Sequence, residues 1–342
     1  MDDIGHNDPV TRATGLGSFP GTSAREAIVT VRDLMLDADA LGLPYVPETP
    51  ARGPGADLIG RAAGLLVELP VDLQPSGWRF TDRPGRDARR TASFWTEDLD
   101  ELAAAYDGYA GPLKAQVAGP WTLAASVELH RGERAVTDDG AAREIVQSLA
   151  EGIRRHLADL RRLVPGADIT LQLDEPSLPA VLEGTLPTAS GFGKVRAVDR
   201  QVVAAGLREV LAATSGPTVI HCCHPRAPLP LLRALAPGAV SIDVTDASPA
   251  RWESVALTLE AGIALYAGCL PTALGAAGAL RVQAVADGIR RALERAGLGP
   301  EWLAEVTVTP TCGLAGLAAS EAITAHRIAL DVARELAESQ ER

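Results

Sequence analysis

The sequence predicts an α/β fold, a single-domain (β/α)8 TIM barrel, on two observations. Short β-like runs alternate with long Ala- and Leu-rich helical patterns along the whole chain. Polar or reactive residues stand at the C-terminal end of most of these runs, and the strand ends of a barrel meet at one mouth. Those residues are Ser18, Glu48, Asp174, His221, Asp243, Cys269 and Cys312. An open, doubly wound sheet is the alternative fold.

Short apolar runs predict eight strands. They cover residues 14–19, 43–48, 113–119, 168–175, 218–223, 239–245, 263–269 and 305–312. Helical patterns lie between them, and several begin at polar residues and end at glycine, as in "TEDLDELAAAYDGYAG". The predicted helices lie near residues 24–40, 56–69, 97–108, 140–163, 198–214, 228–235, 250–261, 280–296 and 319–338.

Residues 70–95 interrupt this alternation. The segment is rich in Pro, Gly and Arg and fits neither period, so we interpret it as an insertion over the barrel rim, of the kind that can form a lid. It carries a basic cluster of Arg83, Arg86, Arg89 and Arg90. The predicted organisation is a flexible N-terminal tail over residues 1–12 and one barrel domain over residues 13–340, which includes this insertion.

Composition and charge restrict the class of protein. The chain has 342 residues, of which 46% are hydrophobic and 22% charged, and its formal net charge is -12. Nucleic acids and anionic membranes need basic surfaces, so neither is expected as a partner. The N-terminus is acidic and polar, unlike a signal or transit peptide, and no apolar run approaches the ~20 residues that span a bilayer. Four cysteines do not make a disulfide framework, and a cytoplasmic protein is expected.

Half of the cysteines lie in the stretch "VIHCCHP" at residues 219–225. Side chains alternate between the two faces of a strand, so His221 and Cys223 share one face, while Cys222 and His224 share the other. Either pair is a possible start of a tetrahedral zinc site. Cys312, at the end of the last strand, is the expected third ligand, and Asp243 is a possible fourth. The competing interpretation is that the cysteines pack as small hydrophobic residues.

Two further segments carry candidate binding residues. In "LQLDEPSLP" (172–180), Asp174 ends an apolar strand, where a carboxylate can bind an ammonium group or act as a base; a solvated acidic turn is the alternative. In "TGLGSFPGT" (14–22), backbone N–H groups and the Ser18 hydroxyl can bind a carboxylate or phosphate. A plain turn is the alternative for this second segment.

The order of these motifs resembles the catalytic barrel of the cobalamin-independent methionine synthase family. The resemblance runs from about residue 14 to 338. It rests on "LGSFPGT", "VAGPWTL", "QLDEP", "IHCC", "SID" and "PTCGL". The superfamily also contains uroporphyrinogen decarboxylases, which lack the thiol ligands, and zinc methyltransferases that act on thiols such as coenzyme M. The cysteines therefore point to the zinc branch.

The resemblance implies a zinc-dependent (Zn2+) methyltransferase that methylates homocysteine to methionine. His221, Cys223 and Cys312 take the zinc positions, and Asp243 stands where the family has a glutamate ligand. Asp174 would bind the amino group of homocysteine, and Ser18 would contact its carboxylate. The family's second carboxylate for the substrate is matched by either Glu48 or Asp57. The N-terminal copy of the barrel in the long members is absent, so the chain resembles a core-only form.

The resemblance leaves the thiol and the methyl donor open. Zinc-dependent alkyl transfer to another thiol, such as coenzyme M, is an alternative, and so is a non-catalytic zinc barrel that binds a thiol or a partner protein. The long members use a His after the seventh strand to protonate the departing folate nitrogen, but no His occurs between residues 225 and 325. The folate-stacking Trp after the "GP" turn also has no clear match, since Trp121 is too close to it. We therefore expect methylcobalamin or a methylated corrinoid protein to be a better donor than methyl-tetrahydrofolate.

Overall fold

The structure, a computed structural model, describes residues 11–38, 40–272 and 280–340. Within these ranges the strands are β1 (Arg12–Ala13), β2 (Val71–Gln74), β3 (Gly77–Phe80), β4 (Ala110–Ala118), β5 (Gly166–Asp174), β6 (Thr218–Cys222), β7 (Ala239–Asp243), β8 (Ala264–Leu270) and β9 (Val306–Pro310). Seven of them form one curled parallel sheet in the order β1-β9-β8-β7-β6-β5-β4. From β4 to β9 the neighbours in the sheet are also neighbours in the chain, so the strand order does not reverse as it does in a doubly wound sheet.

Helices follow the strands. They are α1 (Ala24–Leu36), α2 (Leu58–Leu65), α3 (Arg86–Ala105), α4 (Pro120–Ser126), α5 (Asp139–Leu163), α6 (Leu178–Glu183), α7 (Arg200–Leu211), α8 (Leu229–Leu235), α9 (Pro249–Glu260), α10 (Val282–Arg295) and α11 (Ala319–Gln340). Two of the long helices begin after a polar residue whose side chain accepts a hydrogen bond from the first turn: Ser23 precedes α1 and Asp138 precedes α5. Across the described residues, no helix combines the length and the hydropathy that a bilayer crossing requires.

Residues 42–48 connect the two edges of the sheet. On one side, Leu43 N donates to Ala13 O (2.8 Å) and Glu48 N to Gly17 O (3.0 Å). On the other, Val46 N donates to Lys114 O (2.9 Å) on β4. Leu43 also belongs to an inner hydrophobic cluster with Val219, Ala239 and Tyr266, which come from β6, β7 and β8 across the curl. The architecture is therefore consistent with the predicted TIM-barrel-like fold, in which this segment occupies the place of the second strand.

The first two predicted strands do not pair regularly with their neighbours. Residues 14–19 and 43–48 form isolated parallel bridges, Ser18 with Glu48 and Tyr45 with Lys114, in place of continuous ladders. Glycine at positions 15 and 17 and proline at positions 44 and 47 explain this, because proline lacks the N–H that a ladder requires. The predicted strands from 113–119 onward match β4 to β9 to within a few residues.

Residues 70–95 are more regular than the sequence suggested. Strands β2 and β3 form an antiparallel hairpin, and α3 begins at Arg86, inside the segment. Phe80 N donates to Glu128 O (2.9 Å) and Glu128 N to Trp78 O (2.8 Å), so the hairpin lies against the chain that follows α4. The sequence shows no period here because four-residue strands are too short to reveal one, and the interpretation as a rim insertion stays a prediction.

Residues 1–10 of the predicted tail lie outside the described part of the chain. The last two residues of that tail are ordered: Arg12 pairs with Thr307 in the sheet, and Thr11 Oγ1 donates to Leu303 O (2.9 Å).

Candidate metal and substrate site

Three side chains with metal-binding atoms converge at the C-terminal end of the sheet. One ligand atom each of His221, Cys223 and Cys312 lies within 4.8 Å of the others. The Sγ atoms of Cys223 and Cys312 are 3.4 Å apart, although 89 positions separate these residues in the chain. Strand β6 supplies His221 and leads directly into Cys223, and β9 leads into Cys312. Strands β8 and β7 lie between β9 and β6, but all strands of the parallel sheet end at the same edge, and the curl of the sheet brings these ends together.

One ring nitrogen of His221 is already engaged. Its Nδ1 lies 2.9 Å from Ser241 Oγ, and Ser241 is the register partner of His221 on β7. Both side chains are buried. This contact fixes the orientation of the ring and leaves Nε2 as the nitrogen that can bind an ion, as partner groups commonly do for metal-binding histidines.

The two thiols of this group lie within hydrogen-bond distance of each other. The hydrogen bond between Cys312 and Cys223 and the contact with His221 lower the pKa of Cys312 to about 4, while the same hydrogen bond, together with burial, raises the pKa of Cys223. Two cysteine sulfurs and an imidazole nitrogen form a soft N/S donor set, which suits zinc better than magnesium or calcium. The residues present therefore fit a zinc ion.

The competing pair of ligands does not meet. Cys222 is completely buried among core side chains, on the face of β6 opposite His221. His224 Nδ1 accepts from the backbone N–H of Arg226 (3.0 Å). Of the two pairs left open by the spacing, only His221 and Cys223 face Cys312.

Asp243 is not part of this group. It ends β7, one position beyond the ladder pair of Cys222 and Ile242. Its Oδ1 accepts from the backbone N–H of Thr245 (2.8 Å) and from the hydroxyl of the same residue (2.6 Å). The structure thus brings together three of the four predicted ligands, and Asp243 stands beside them with its carboxylate turned to its own loop.

Asp174 lies at the end of β5 as the register partner of His221. It is buried, and its Oδ1 accepts from Gln172 Nε2 (2.7 Å). Burial raises the pKa of Asp174 to about 7, while His221, Gln172 and Lys114 favour the ionised form. The solvated acidic turn considered from the sequence is therefore wrong for Asp174.

Glu48 occupies a similar position on the neighbouring segment. Its Oε1 accepts from Gln116 Nε2 (3.1 Å) and lies 3.9 Å from Arg61 Nε. Burial raises its pKa, and Arg61 is the largest opposing influence. Asp57 instead caps the start of α2, where its side chain accepts from Ile59 N and Gly60 N. Of the two carboxylates that the sequence left open, Glu48 is the buried one next to Asp174.

Ser18 lies against the loop that carries Cys312. Its backbone carbonyl accepts from Leu314 N (2.9 Å), and its Oγ lies 3.4 Å from Ala315 N. The approach is close: a Cβ on Gly313 would lie 2.0 Å from Ser18 Oγ, so a larger residue there would displace the Ser18 hydroxyl. Ser18 therefore stands at the edge of the three-residue metal group.

Glu175, next to Asp174, has a structural role. Its carboxylate accepts from Trp121 N (2.9 Å), Thr122 N (2.8 Å) and Thr122 Oγ1 (2.7 Å), in the first turn of α4. These N–H groups have no partner within the helix, so the carboxylate satisfies them. Trp121 itself is buried, with Nε1 donating to Val203 O (3.0 Å), and is not exposed for stacking on a donor.

Three polar residues beneath the site were not singled out from the sequence. Lys114 and Gln116 on β4 and Arg61 on α2 are all buried. In "LKAQVAG", Lys114 and Gln116 alternate with apolar residues, and this alternation is the sequence pattern that could have placed both on one face of the strand. Gln116 donates to Val46 O (2.7 Å) and to Glu48, while its Oε1 has no partner among the described residues.

A search against known families matches residues 11–335 to the cobalamin-independent synthase catalytic domain. The chain belongs to this family. Among solved structures it is similar to a B12-independent methionine synthase from Shewanella sp. W3-18-1 in complex with selenomethionine, with a TM-score of 0.64 and 12% identity. That comparison covers 96% of this chain and 98% of the other and supports the fold. No curated protein matches the chain.

Membership of the cobalamin-independent synthase family agrees with the resemblance drawn from the sequence motifs. It supports a methyltransferase of the methionine synthase type, for which homocysteine and a methyl donor are the implied substrates.

Proposed function

We propose that this protein is a zinc-dependent methyltransferase that converts homocysteine to methionine. The observation that carries the proposal is the convergence of His221, Cys223 and Cys312 in a chain of the cobalamin-independent synthase family. The catalytic unit is proposed to be a single domain over residues 13–340, with residues 70–95 at its rim.

The three residues would hold the ion and leave a position for the substrate thiol, as catalytic zinc sites do. When bound, zinc would supply the Lewis acidity that lowers the pKa of the thiol and so provides a nucleophile at neutral pH. Asp243 is proposed as the carboxylate ligand, because it ends the strand next to β6. It would exchange its contacts with Thr245 for that role.

The protein groups around this position suit an α-amino acid. Asp174 and Glu48 are two buried carboxylates that can accept from the ammonium group of homocysteine, and Asp174 is proposed to orient the reacting substrate through that contact. Ser18 is proposed to contact the substrate carboxylate from the opposite side of the metal group, next to Cys312. The thiol can then be held in line with the methyl group, which supports displacement through proximity.

The methyl donor is proposed to be methylcobalamin or a methylated corrinoid protein, in preference to methyl-tetrahydrofolate. A methyl-folate leaves through a nitrogen that must be protonated, and the chain has no His between residues 225 and 325. Among the described histidines outside the metal group, His156 and His326 are buried, and burial lowers the pKa of each to about 4. Part of the chain after β8, residues 273–279, lies outside the described structure.

A comparison of donors tests this proposal. Zinc-loaded protein is supplied with homocysteine and either methylcobalamin or methyl-tetrahydrofolate at matched concentration, and methionine is measured by mass spectrometry. We expect methylcobalamin to give the faster reaction, by roughly the 100-fold or more that a missing general acid costs. Coenzyme M replaces homocysteine in a control arm and should be a poor acceptor, because it lacks the ammonium group. Efficient turnover with methyl-tetrahydrofolate and none with methylcobalamin would reverse the donor assignment.

A further inference from the structure

Lys114 is a fully buried lysine inside the curl of the sheet, below the candidate site. It lies on β4, and its Nζ donates to Gln172 Oε1 (2.7 Å). Its Nζ also lies 5.2 Å from the centre of the Tyr45 ring. In the described part of the chain, no carboxylate lies within 4.0 Å of Nζ to form a direct ion pair. A lysine is rarely buried without such a pair, so its single strong contact requires an explanation.

That contact belongs to a chain of hydrogen bonds that ends at Asp174. The amide of Gln172 accepts from Lys114 through Oε1 and donates through Nε2 to Leu16 O (2.9 Å) and to Asp174 Oδ1 (2.7 Å). An amide can bind either way round, and its surroundings decide the orientation. Lys114 has donors only, so it selects the orientation in which the carbonyl faces Lys114 and the NH2 group faces Asp174.

We propose that Lys114 is a positioning residue for the substrate ammonium group: it fixes the amide of Gln172, which in turn holds the carboxylate of Asp174 in place. The inference rests on the proposed function, because the ammonium group is that of homocysteine. Leu16 O and Asp174 Oδ1 both accept from the NH2 group of Gln172, and Lys114 anchors the other end of the same amide. Without Lys114 the carbonyl of Gln172 loses its donor, so the amide holds the carboxylate of Asp174 less firmly in the geometry in which it binds the substrate.

The neighbouring carboxylate provides an internal contrast. Gln116 holds Glu48 in the same manner, with Nε2 donating to a backbone carbonyl and to the carboxylate, but no lysine meets its Oε1. Of these two carboxylates, only Asp174 is held by a glutamine whose carbonyl also accepts from a lysine. Burial lowers the pKa of Lys114 to about 7, and the neighbouring carboxylates of Asp174 and Glu48 oppose this shift by favouring the charged form.

A double-mutant cycle on the zinc-loaded protein tests the route through Gln172. The variants are Lys114→Met, Gln172→Leu and the double variant, and calorimetry measures binding of homocysteine and of its analogue without the amino group. We expect each single variant to weaken homocysteine binding about tenfold, the cost of roughly one charge-assisted hydrogen bond. Binding of the analogue should stay unchanged. The double variant should be no weaker than Gln172→Leu alone, because both substitutions interrupt one route.

Thr170→Val is the matched control, since Thr170 is the register partner of Lys114 on β5 and is not part of the chain of contacts. It should leave binding of both ligands unchanged. Unchanged homocysteine binding in Lys114→Met, or additive losses in the double variant, would overturn the inference. If Lys114→Met does not fold, equal losses of homocysteine and analogue binding in Gln172→Leu would overturn it. Failure of the unmodified zinc-loaded protein to bind homocysteine would instead overturn the proposed function.

Discussion

Cys223→Ser and Cys312→Ser are each expected to lose most of the bound zinc, while the unmodified protein should carry about one zinc per chain. A serine hydroxyl is not ionised at neutral pH and is a poor ligand for zinc. Loss of an outer-shell partner alone lowers metal affinity about 10- to 100-fold, so loss of a direct ligand should cost more. Elemental analysis after dialysis measures the metal content, and methionine formation should fall with it.

Cys222→Ala is the control for this pair. Cys222 precedes Cys223 in the chain but packs in the core on the opposite face of β6. The Cys222→Ala variant should keep its zinc, although removal of a buried sulfur lowers its stability slightly. Circular dichroism should show that all three variants are folded. Full zinc retention in both serine variants would show that the metal group is wrongly assigned.

Asp174→Asn is expected to weaken homocysteine binding by about one to two orders of magnitude, with zinc retained. The substitution keeps the size of the side chain and removes the charge that pairs with the substrate ammonium group. Gln172 Nε2 donates to this side chain, so the asparagine carbonyl should turn toward Gln172 and its NH2 group toward the ammonium. A hydrogen bond to a charged group is worth about 1.5–3 kcal/mol, which corresponds to that loss of affinity.

Calorimetry on the zinc-loaded variant measures the effect, and Asp168→Asn is the control. Asp168 lies on the same strand near its N-terminal end and is exposed, far along β5 from the metal group. It should bind homocysteine like the unmodified protein. If Asp174→Asn binds homocysteine normally, Asp174 does not contact the ammonium group.

The strands that carry the site were predictable, because β5 to β9 are short apolar runs with a reactive residue at or just beyond the end of most of them. The period of two also separated His221 and Cys223 from Cys222 and His224. The contact with Cys312 then distinguishes the first pair from the second, and this contact between distant parts of the chain is seen only in the folded structure. The same holds for Glu48 and Asp57, since burial against Gln116 distinguishes them and no local pattern does.

The polar interior was harder to predict. In most sheets the polar face of a strand meets solvent, so the alternation in "LKAQVAG" does not by itself indicate a buried lysine. Inside a curled sheet the same alternation places Lys114 and Gln116 beneath the site. Arg61 reaches Glu48 from α2, a contact between two elements that no single segment encodes.

Methionine formation by metal-stripped and zinc-restored protein tests whether the reaction depends on zinc. The protein is treated with a chelator, dialysed, and assayed with homocysteine and methylcobalamin before and after zinc is added back. We expect no turnover without metal and full recovery at about one equivalent of zinc. Equal rates of methionine formation in the stripped and restored samples would contradict it.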